Sequence, residues 1–236
     1  MLGILGKKIG MTTVFDEQGK NTPITVIEAG PCQVLQVKTS EADGYSAVQL
    51  GFGQKKEKHT TKAQMGRFKK AGIASPLRFI KEIRVKDPQS YKAGQTITAD
   101  IFAKGDYLDV VGVSIGRGFQ GGVRRWGWAG GDDGHGSMFH RAIGSIQSGA
   151  RLSRVTKGHH MPGHMGVDRI TVQNLEIVDV IKDKNLVLVK GCIPGHINSF
   201  VILKEARKRP KGYIKPKYVP TAAKKGAAKA GGAKKK

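Results

Sequence analysis

The chain has few cysteines, no long apolar run and few acidic residues, and each shortage narrows the class of protein. Its two cysteines, Cys32 and Cys192, lie far apart, and neither has the C-x-x-C partner of a redox or zinc pair. We expect both to be buried thiols in a reducing compartment. No apolar run approaches the roughly 18–20 residues of a transmembrane helix, and no basic amphipathic helix stands out, so a membrane surface is disfavoured as partner.

The N-terminal stretch MLGILGKKIGMTTVF also lacks the features of a targeting segment. It is too short and too quickly charged for a signal peptide, and it lacks the Ser- and Arg-rich character of an organelle transit peptide. We therefore expect a cytoplasmic protein.

Acidic residues are outnumbered, with 18 Asp and Glu against 41 Lys and Arg and a formal net charge of +23. Such an excess repels itself and is typical of proteins that meet a polyanion, which favours nucleic acid. Residues 204–236 hold 13 of the basic residues and one acidic residue. Because this segment has almost no apolar residues to bury, we predict a disordered, Lys-rich C-terminal arm over 207–236. The preceding residues still carry 28 basic and 17 acidic groups, so the body should face a polyanion too.

The body has the pattern of a mainly β protein. Short runs rich in Val, Ile and Thr are separated by turn residues, and the runs 176–181 and 185–190 predict a hairpin across Lys182-Asp183-Lys184. Many short strands at this spacing indicate a closed barrel, which removes aggregation-prone edges. The predicted strands are 24–28, 33–38, 46–52, 79–85, 95–102, 106–115, 169–172, 176–181, 185–190 and 200–203.

Two segments break the strand pattern within one barrel domain over 1–206. The first is a small mixed basic insertion at about 54–92, whose part 54–74 is predicted to be partly helical. The second, 116–167, has little periodicity, and structureless loops of that length inside a compact domain are usually functional. Aromatic residues and methionines recur through it. We therefore expect a long extension that becomes ordered by packing on something outside the barrel.

The stretch SIGRGFQGGVRRWGW at 114–128 contains a G-x-G-x-x-G-x-V pattern. A dinucleotide-binding loop needs a helix directly after its glycines, and the glycine-rich GGVRRWGWAGG that follows predicts none. The V-A-I-K, H-R-D and D-F-G motifs of a kinase and the Gly-Lys-Ser/Thr of a P-loop are absent from the sequence. Nucleotide binding is therefore disfavoured.

The same glycines fit a phosphodiester backbone, because they let backbone N–H groups approach phosphate closely. Arg117, Arg124 and Arg125 would supply charge and forked donors, while Trp126 and Trp128 could stack on unpaired bases. The competing interpretation is a glycine-rich turn with solvated arginines and a core tryptophan.

Five of the seven histidines cluster in the extension, in part as HHMPGH. No H-E-x-x-H, ligating cysteine or spaced carboxylate accompanies them in the sequence, so we expect base or phosphate contacts or surface positions rather than a metal site. Asp132-Asp133 indicates a solvated turn, and no Ser/His/Asp or Cys/His set has supporting spacing. We expect no catalytic residue, cofactor or metal.

Five sequence blocks carry a family resemblance. They are GILGKKIGMTTVF, the stretch 102–125 with its Phe, Asp and Gly spacing, HGSMFHRAIGSI at 135–146, KGHHMPGHMG at 157–166 and VKGCIPG at 189–195. In this order they resemble the L-three family of universal large-subunit ribosomal proteins, bacterial type, over about 1–205. The chain departs from the family pattern at 151–153 and at His159-His160, and Ala150 stands where some bacteria have a methylated glutamine, so that modification is not expected.

The resemblance implies a six-stranded closed barrel of the translation-protein type, like the second domain of elongation factors. It implies a structural constituent of the large ribosomal subunit that binds ribosomal RNA, helps nucleate subunit assembly and sends its extension toward the peptidyl transferase centre. The implied partners are large-subunit ribosomal RNA and neighbouring ribosomal proteins, with no membrane, no small-molecule substrate and no homo-oligomer.

Two other classes remain as alternatives. An RNA-modifying enzyme or a translation GTPase fragment would need a nucleotide or methyl-donor site, for which the sequence offers no candidate. A DNA-compacting protein would explain the Lys/Ala/Gly tail but would not need an aromatic-bearing insertion. The residues expected to bind RNA are Lys7, Lys8, Arg117, Phe119, Arg124, Arg125, Trp126, Trp128, His135, His140, Arg141, Arg151, Arg154, Lys157, His159, His160, His164, Arg169, Arg207, Lys208 and Arg209.

Overall fold

A computed structural model describes residues 3–16, 18–146 and 154–213. The chain is mainly β, as predicted. The strands are β1 (Gly3–Phe15), β2 (Asn21–Ala29), β3 (Cys32–Lys38), β4 (Ala47–Gln54), β5 (Leu77–Arg84), β6 (Thr96–Ile97), β7 (Tyr107–Val113), β8 (Gly118–Gln120), β9 (Gly163–Met165), β10 (Arg169–Ile181), β11 (Leu186–Lys190) and β12 (Phe200–Glu205). The α-helices are α1 (Ser40–Asp43), α2 (Lys62–Lys70) and α3 (Gly122–Trp126), and short 3-10 helices cover Glu57–His59, Pro88–Ser90, Ala99–Ile101 and Lys182–Lys184.

Six strands form a closed barrel in the order β1-β12-β7-β10-β11-β2. All neighbouring pairs are antiparallel, so each strand has hydrogen-bonded partners on both sides. Alternate residues of the strands point inward, as Val187 and Val189 of β11 do with no exposed surface. Ring closure leaves these strands without a free edge.

The hairpin predicted around Lys182-Asp183-Lys184 is confirmed, since β10 pairs with β11 across a 3-10 turn. The separate strands predicted at 169–172 and 176–181 are instead one strand, β10. A register shift between Val172 and Leu175 accommodates Asn174, whose φ of 57° lies in the left-handed region. A bulge of this kind interrupts the apolar alternation without ending the strand.

The apolar pattern does not predict β1, the first barrel strand, because glycines and lysines interrupt its alternation. Its packing explains one of those glycines: a Cβ on Gly6 would lie 2.7 Å from the Glu28 carbonyl oxygen of β2. Close approach of two strand backbones therefore requires glycine at that position.

A second sheet, in the order β5-β4-β3-β6, lies between β2 and β7 in the chain. The basic insertion expected at about 54–92 thus lies within a larger inserted unit, and its expected helix is α2. Phe68 of α2 packs in a small core with Leu35, Ala71, Ile73 and Leu77. The strand predicted over 95–102 shortens to β6, because the Thr98 hydroxyl donates to Asp100 and the chain turns into a 3-10 helix.

The inserted sheet and the barrel share one apolar core. At their junction the rings of Phe79 and Phe200 stack with centroids 4.9 Å apart. Among the described residues, no helix is long and apolar enough to cross a membrane.

The two cysteines differ in burial, which corrects one expectation. Cys32 is buried as predicted, and burial raises the pKa of its thiol to about 12. Cys192 is exposed, because it follows β11 in the loop that leads to β12 rather than lying in a strand.

Candidate nucleic-acid interface

The extension leaves the barrel between β7 and β10 through a two-stranded neck. Ser114 and Asp168 are joined by two hydrogen bonds, one between backbones (2.9 Å) and one from the Asp168 N–H to the Ser114 hydroxyl (3.1 Å). Next, β8 pairs with β9, and a Cβ on Gly166 would lie 2.2 Å from the Ile115 carbonyl oxygen. The chain that leaves the barrel after β7 (the first limb) and the chain that returns to β10 (the second limb) are therefore held in fixed register where the extension begins.

A short helix, α3, follows β8 directly, although the glycines of this stretch predicted none. Gly127 ends the helix in the left-handed conformation with φ of 74°, so the helix has only five residues. Contacts of its side chains with the second limb supply the stability that helix propensity does not.

Two side chains of α3 hold the limbs of the extension together. Arg125 donates from Nη1 to the Met161 carbonyl oxygen at 2.7 Å, and Trp126 donates from Nε1 to the same oxygen at 2.9 Å. The guanidinium of Arg125 also fits against Gly163, where a Cβ would lie 2.6 Å from Nη1. Arg125, predicted as a phosphate ligand, thus has a structural role within the extension.

Both tryptophans are held by neighbours inside the extension. The indole of Trp126 stacks on the His160 ring with centroids 4.0 Å apart and planes 3° apart, although 42% of Trp126 stays exposed. The Trp128 ring covers Gly122 so closely that a Cβ there would lie 1.9 Å from ring atoms. One face of each indole is therefore used internally.

The turn 130–140 folds back on itself. The Gly131 N–H donates to the His140 carbonyl oxygen at 3.0 Å, and His140 Nδ1 lies 2.9 Å from the Asp132 carbonyl oxygen. The Asp133 carboxylate is 3.8 Å from the same nitrogen. His140 is therefore positioned by this turn. His135 is exposed, and its backbone φ of 54° lies in the left-handed region.

The remaining charged members of the predicted set stay accessible. Within the described ranges, no intramolecular hydrogen bond or ion pair is made by the side chains of Arg117, Arg124, Arg141, Arg154 or Lys157, and all five residues are exposed. His159 and His164 are exposed as well, as are 77% of Phe119 and 98% of Met138. We call these nine residues the extension surface.

Lys8 is the clearest correction to the predicted set. Its side chain is buried, and its ammonium donates to the carbonyl oxygens of Ile193 and Gly195, both at 3.0 Å. A β-bulge follows Lys8. The charged ammonium of Lys8 therefore donates to carbonyl groups inside the fold. Lys7 is half-buried in the same strand.

Other predicted residues belong to the barrel and the segment that follows it rather than to the extension. Arg169, at the start of β10, is exposed. Its charge acts on Lys204: burial lowers the pKa of the Lys204 ammonium, and repulsion by Arg169 lowers that pKa further. Arg207 and Lys208 are exposed beyond β12.

Arg209 packs its guanidinium 4.8 Å from the Tyr107 ring centroid and 5.4 Å from that of Tyr213. Arg209 therefore fastens the start of the C-terminal segment to the barrel. Arg151, Ala150 and residues 214–236 lie outside the described residues.

An open cleft of about 480 Å³ lies in the extension. The recurrence of aromatic residues and methionines in the extension did not predict this cleft, because chain segments distant in sequence form its walls. Its lining residues are Trp128, Gly130, Phe139, Ala142, Ile143, Gly144, Ser145, Gly158, His159 and His160. In the described part of the chain, no group of three or more His, Cys, Asp or Glu residues could hold a metal ion.

Fold and surface together define a cationic β-barrel protein whose main exposed feature is an aromatic- and glycine-rich extension. A family model for Ribosomal protein L3 matches residues 88–187, which contain β7, the extension and β10. The chain is also 52% identical over 209 residues to "Large ribosomal subunit protein uL3" of Brachyspira hyodysenteriae, covering 89% of this chain and 96% of that protein. Identity to the protein of the same name from Pelotomaculum thermopropionicum is 53% over 207 residues, covering 87% and 97% of the two chains.

The chain belongs to the ribosomal protein L3 family. The resemblance inferred from five sequence blocks is thereby confirmed. Members of this family are structural ribosomal proteins, so the chain is a ribosomal protein and not an enzyme.

Proposed function

We propose that the chain is a structural constituent of the large ribosomal subunit in the cytoplasm and that it binds large-subunit ribosomal RNA directly. The proposal is supported by the names of its relatives and by one observation above all: the extension surface combines cations without internal partners and exposed apolar side chains. Exposing the apolar side chains of Phe119 and Met138 to water does not stabilise the isolated protein. Such groups are stabilised when a partner covers them.

The cations and rings of the extension surface, and the glycine backbone beside them, have counterparts in folded RNA. The guanidinium groups of Arg117 and Arg124 can each offer two parallel N–H donors to a phosphate. Open glycine backbone, as at Gly118 where nothing lies near a Cβ position, permits close approach of a phosphodiester. Exposed rings such as that of Phe119 can contact unpaired bases, which are the sequence-readable part of RNA.

The barrel is proposed to be of the translation-protein type, with the extension directed through ribosomal RNA toward the peptidyl transferase centre. In that arrangement the chain contributes to early subunit assembly and contacts neighbouring ribosomal proteins as a single copy. Net charge supplies sequence-independent attraction, and the shape of the extension selects one RNA fold. The chemical step of peptide transfer needs no residue of this chain.

The test compares two double variants that lose the same charge. Arg117→Ala/Arg124→Ala removes two cations of the extension surface, while Lys104→Ala/Lys184→Ala removes two exposed lysines from turns of the barrel. Binding of the full-length proteins to a large-subunit ribosomal RNA transcript is measured across salt concentrations. Since each phosphate contact contributes roughly 0.7–0.9 to the slope of log K against log salt, we expect the arginine pair to lower the slope by about 1.5.

The lysine pair should leave the slope nearly unchanged. Equal losses in both double variants would mean that only net charge matters, and the assignment of the interface to the extension would be wrong.

A further inference from the structure

We propose that the open cleft of the extension receives one unstacked nucleobase of RNA. This inference rests on the proposed function and specifies the ligand of one part of that interface. The cleft, called the extension cleft below, has the ring-bearing residues Trp128, Phe139, His159 and His160 and the apolar residue Ile143 in its lining. Its volume of about 480 Å³ falls within the roughly 300–1,000 Å³ of small-ligand sites.

The ring-bearing walls are fixed before any ligand arrives. Trp128 lies against Gly122, and the ring of His160 is stacked on Trp126. Phe139 belongs to the turn in which the Gly131 backbone packs directly against the Phe139 carbonyl oxygen. Because these rings are already ordered, binding a planar partner costs little additional side-chain entropy.

Glycines form the other part of the lining. Gly130, Gly144 and Gly158 have φ values of 79°, 71° and 83°, in the left-handed region that favours glycine. Nothing lies within 4 Å of a Cβ position at Gly158, so the backbone there is accessible to the polar edge of a base.

Charge indicates which planar ligand fits. None of the described residues that line the extension cleft is acidic, and Arg141 and Lys157 directly precede the lining residues Ala142 and Gly158. Aromatic walls with cations beside them suit a base whose flanking phosphates lie at the rim. Bases within an A-form helix are not reachable in this way, so the occupant is a base from a loop or a bulge.

The test uses tryptophan emission as a local reporter. The chain has two tryptophans, so Trp126→Phe leaves Trp128 as the single emitter while keeping a ring to stack on His160. The full-length Trp126→Phe protein is titrated with two RNA hexamers: one is entirely abasic, and the other carries a single central adenine. Both hexamers have the same phosphates, so their difference reports the base alone.

We expect the adenine hexamer to change Trp128 emission and to bind about tenfold more tightly than the abasic hexamer. In the same background, Phe139→Ala should abolish this preference, and Ala142→Phe should abolish it by filling the extension cleft. Val155→Ala, which changes an exposed apolar side chain of the extension outside both the lining and the extension surface, should keep it. Thermal unfolding of each variant verifies that the barrel is intact.

Equal binding of both hexamers with unchanged Trp128 emission would overturn the extension cleft as a base site and would leave RNA binding intact. Loss of binding to both hexamers and to the ribosomal RNA transcript would instead refute the proposed function itself.

Discussion

Lys7 and Lys8 are adjacent cations of one strand, yet their surroundings differ. The ammonium of Lys8 completes the hydrogen bonding of two carbonyl groups in the loop between β11 and β12, whereas Lys7 is half-buried in β1. Residue type predicted both as RNA ligands, because sequence does not show which lysine of the pair turns inward.

Replacing Lys8 by Met should therefore lower stability rather than RNA affinity. Two buried carbonyl oxygens would lose a charged donor, which costs about 2–3 kcal/mol in the free energy of unfolding. Urea denaturation measures the loss, with Lys7→Met as control expected within about 0.5 kcal/mol of the unmodified chain. Equal stability of the two variants would contradict the structural role of Lys8.

Gly122 and Gly121 form a second neighbouring pair with different surroundings. A Cβ on Gly122 would overlap the Trp128 ring, whereas a Cβ on Gly121 would have no neighbour within 4 Å. Because overpacking costs about 1–3 kcal/mol, Gly122→Ala should displace Trp128, alter tryptophan emission and weaken ribosomal RNA binding about tenfold.

The matched variant Gly121→Ala should keep both emission and affinity, and the melting temperature of the barrel should be the same in the two variants. Unchanged binding by Gly122→Ala would show that the position of Trp128 does not matter for the interface.

At the residue level, the sequence predicted exposure where charge alone decides it, as for Arg117 and Arg124. It did not predict the internal roles of Arg125 and Arg209, because their partners, Met161 and Tyr107, are distant in the chain. Only the fold brings such residues together.

At the level of elements, the inserted sheet carries a charged network that depends on pH. Lys38 donates to the Tyr45 hydroxyl at 2.7 Å, and Tyr45 donates to Glu82 at 2.8 Å. The bond from Tyr45, together with those from Lys38, holds the pKa of Glu82 below its ordinary value. Lys38 also lies 3.1 Å from the Glu82 carboxylate.

A lowered pKa in the folded state means that the stabilising contribution of Glu82 is complete above the ordinary glutamate pKa of about 4.3 and is lost as the pH falls through the lowered value. The free energy of unfolding should therefore fall less on acidification in Glu82→Gln and in Tyr45→Phe than in the unmodified chain. Urea denaturation at several pH values between about 6 and 3 measures this. Identical pH profiles would contradict the network's role.

Element prediction succeeded where alternation was regular and failed where packing overrode it. The β10–β11 hairpin follows from apolar runs on both sides of a polar turn. Strand β1 contains Gly6, which the neighbouring backbone requires, and α3 is held by contacts with the second limb of the extension. Neither feature has a local sequence signal.

At the scale of the whole molecule, two cationic regions leave the barrel at opposite ends of β7. The extension begins just after Val113, while Arg209 and Tyr213 pack on Tyr107 at the first residue of the strand. A strand of seven residues separates these points by about 20 Å. The extension and the described start of the C-terminal segment are therefore anchored near opposite ends of the same strand.

Removing residues 214–236 keeps Arg209 and its tyrosine contacts but deletes eight lysines. We expect lower affinity for the ribosomal RNA transcript and a shallower salt dependence, because nonspecific phosphate contacts are lost. Nuclease footprinting should show the same protected site as for the full chain. A shifted footprint would mean that the C-terminal arm selects the site, which is contrary to the role assigned to the extension.

The most direct test of the central claim is sedimentation of the tagged full-length protein, from cells of its own source, through a sucrose gradient at high salt. Burial of the extension in ribosomal RNA predicts that the protein stays with the large subunit after the salt wash, because contacts hidden from solvent are screened little. Release into the top fractions would show that charge alone holds the protein on the surface, and would contradict a structural role in the subunit.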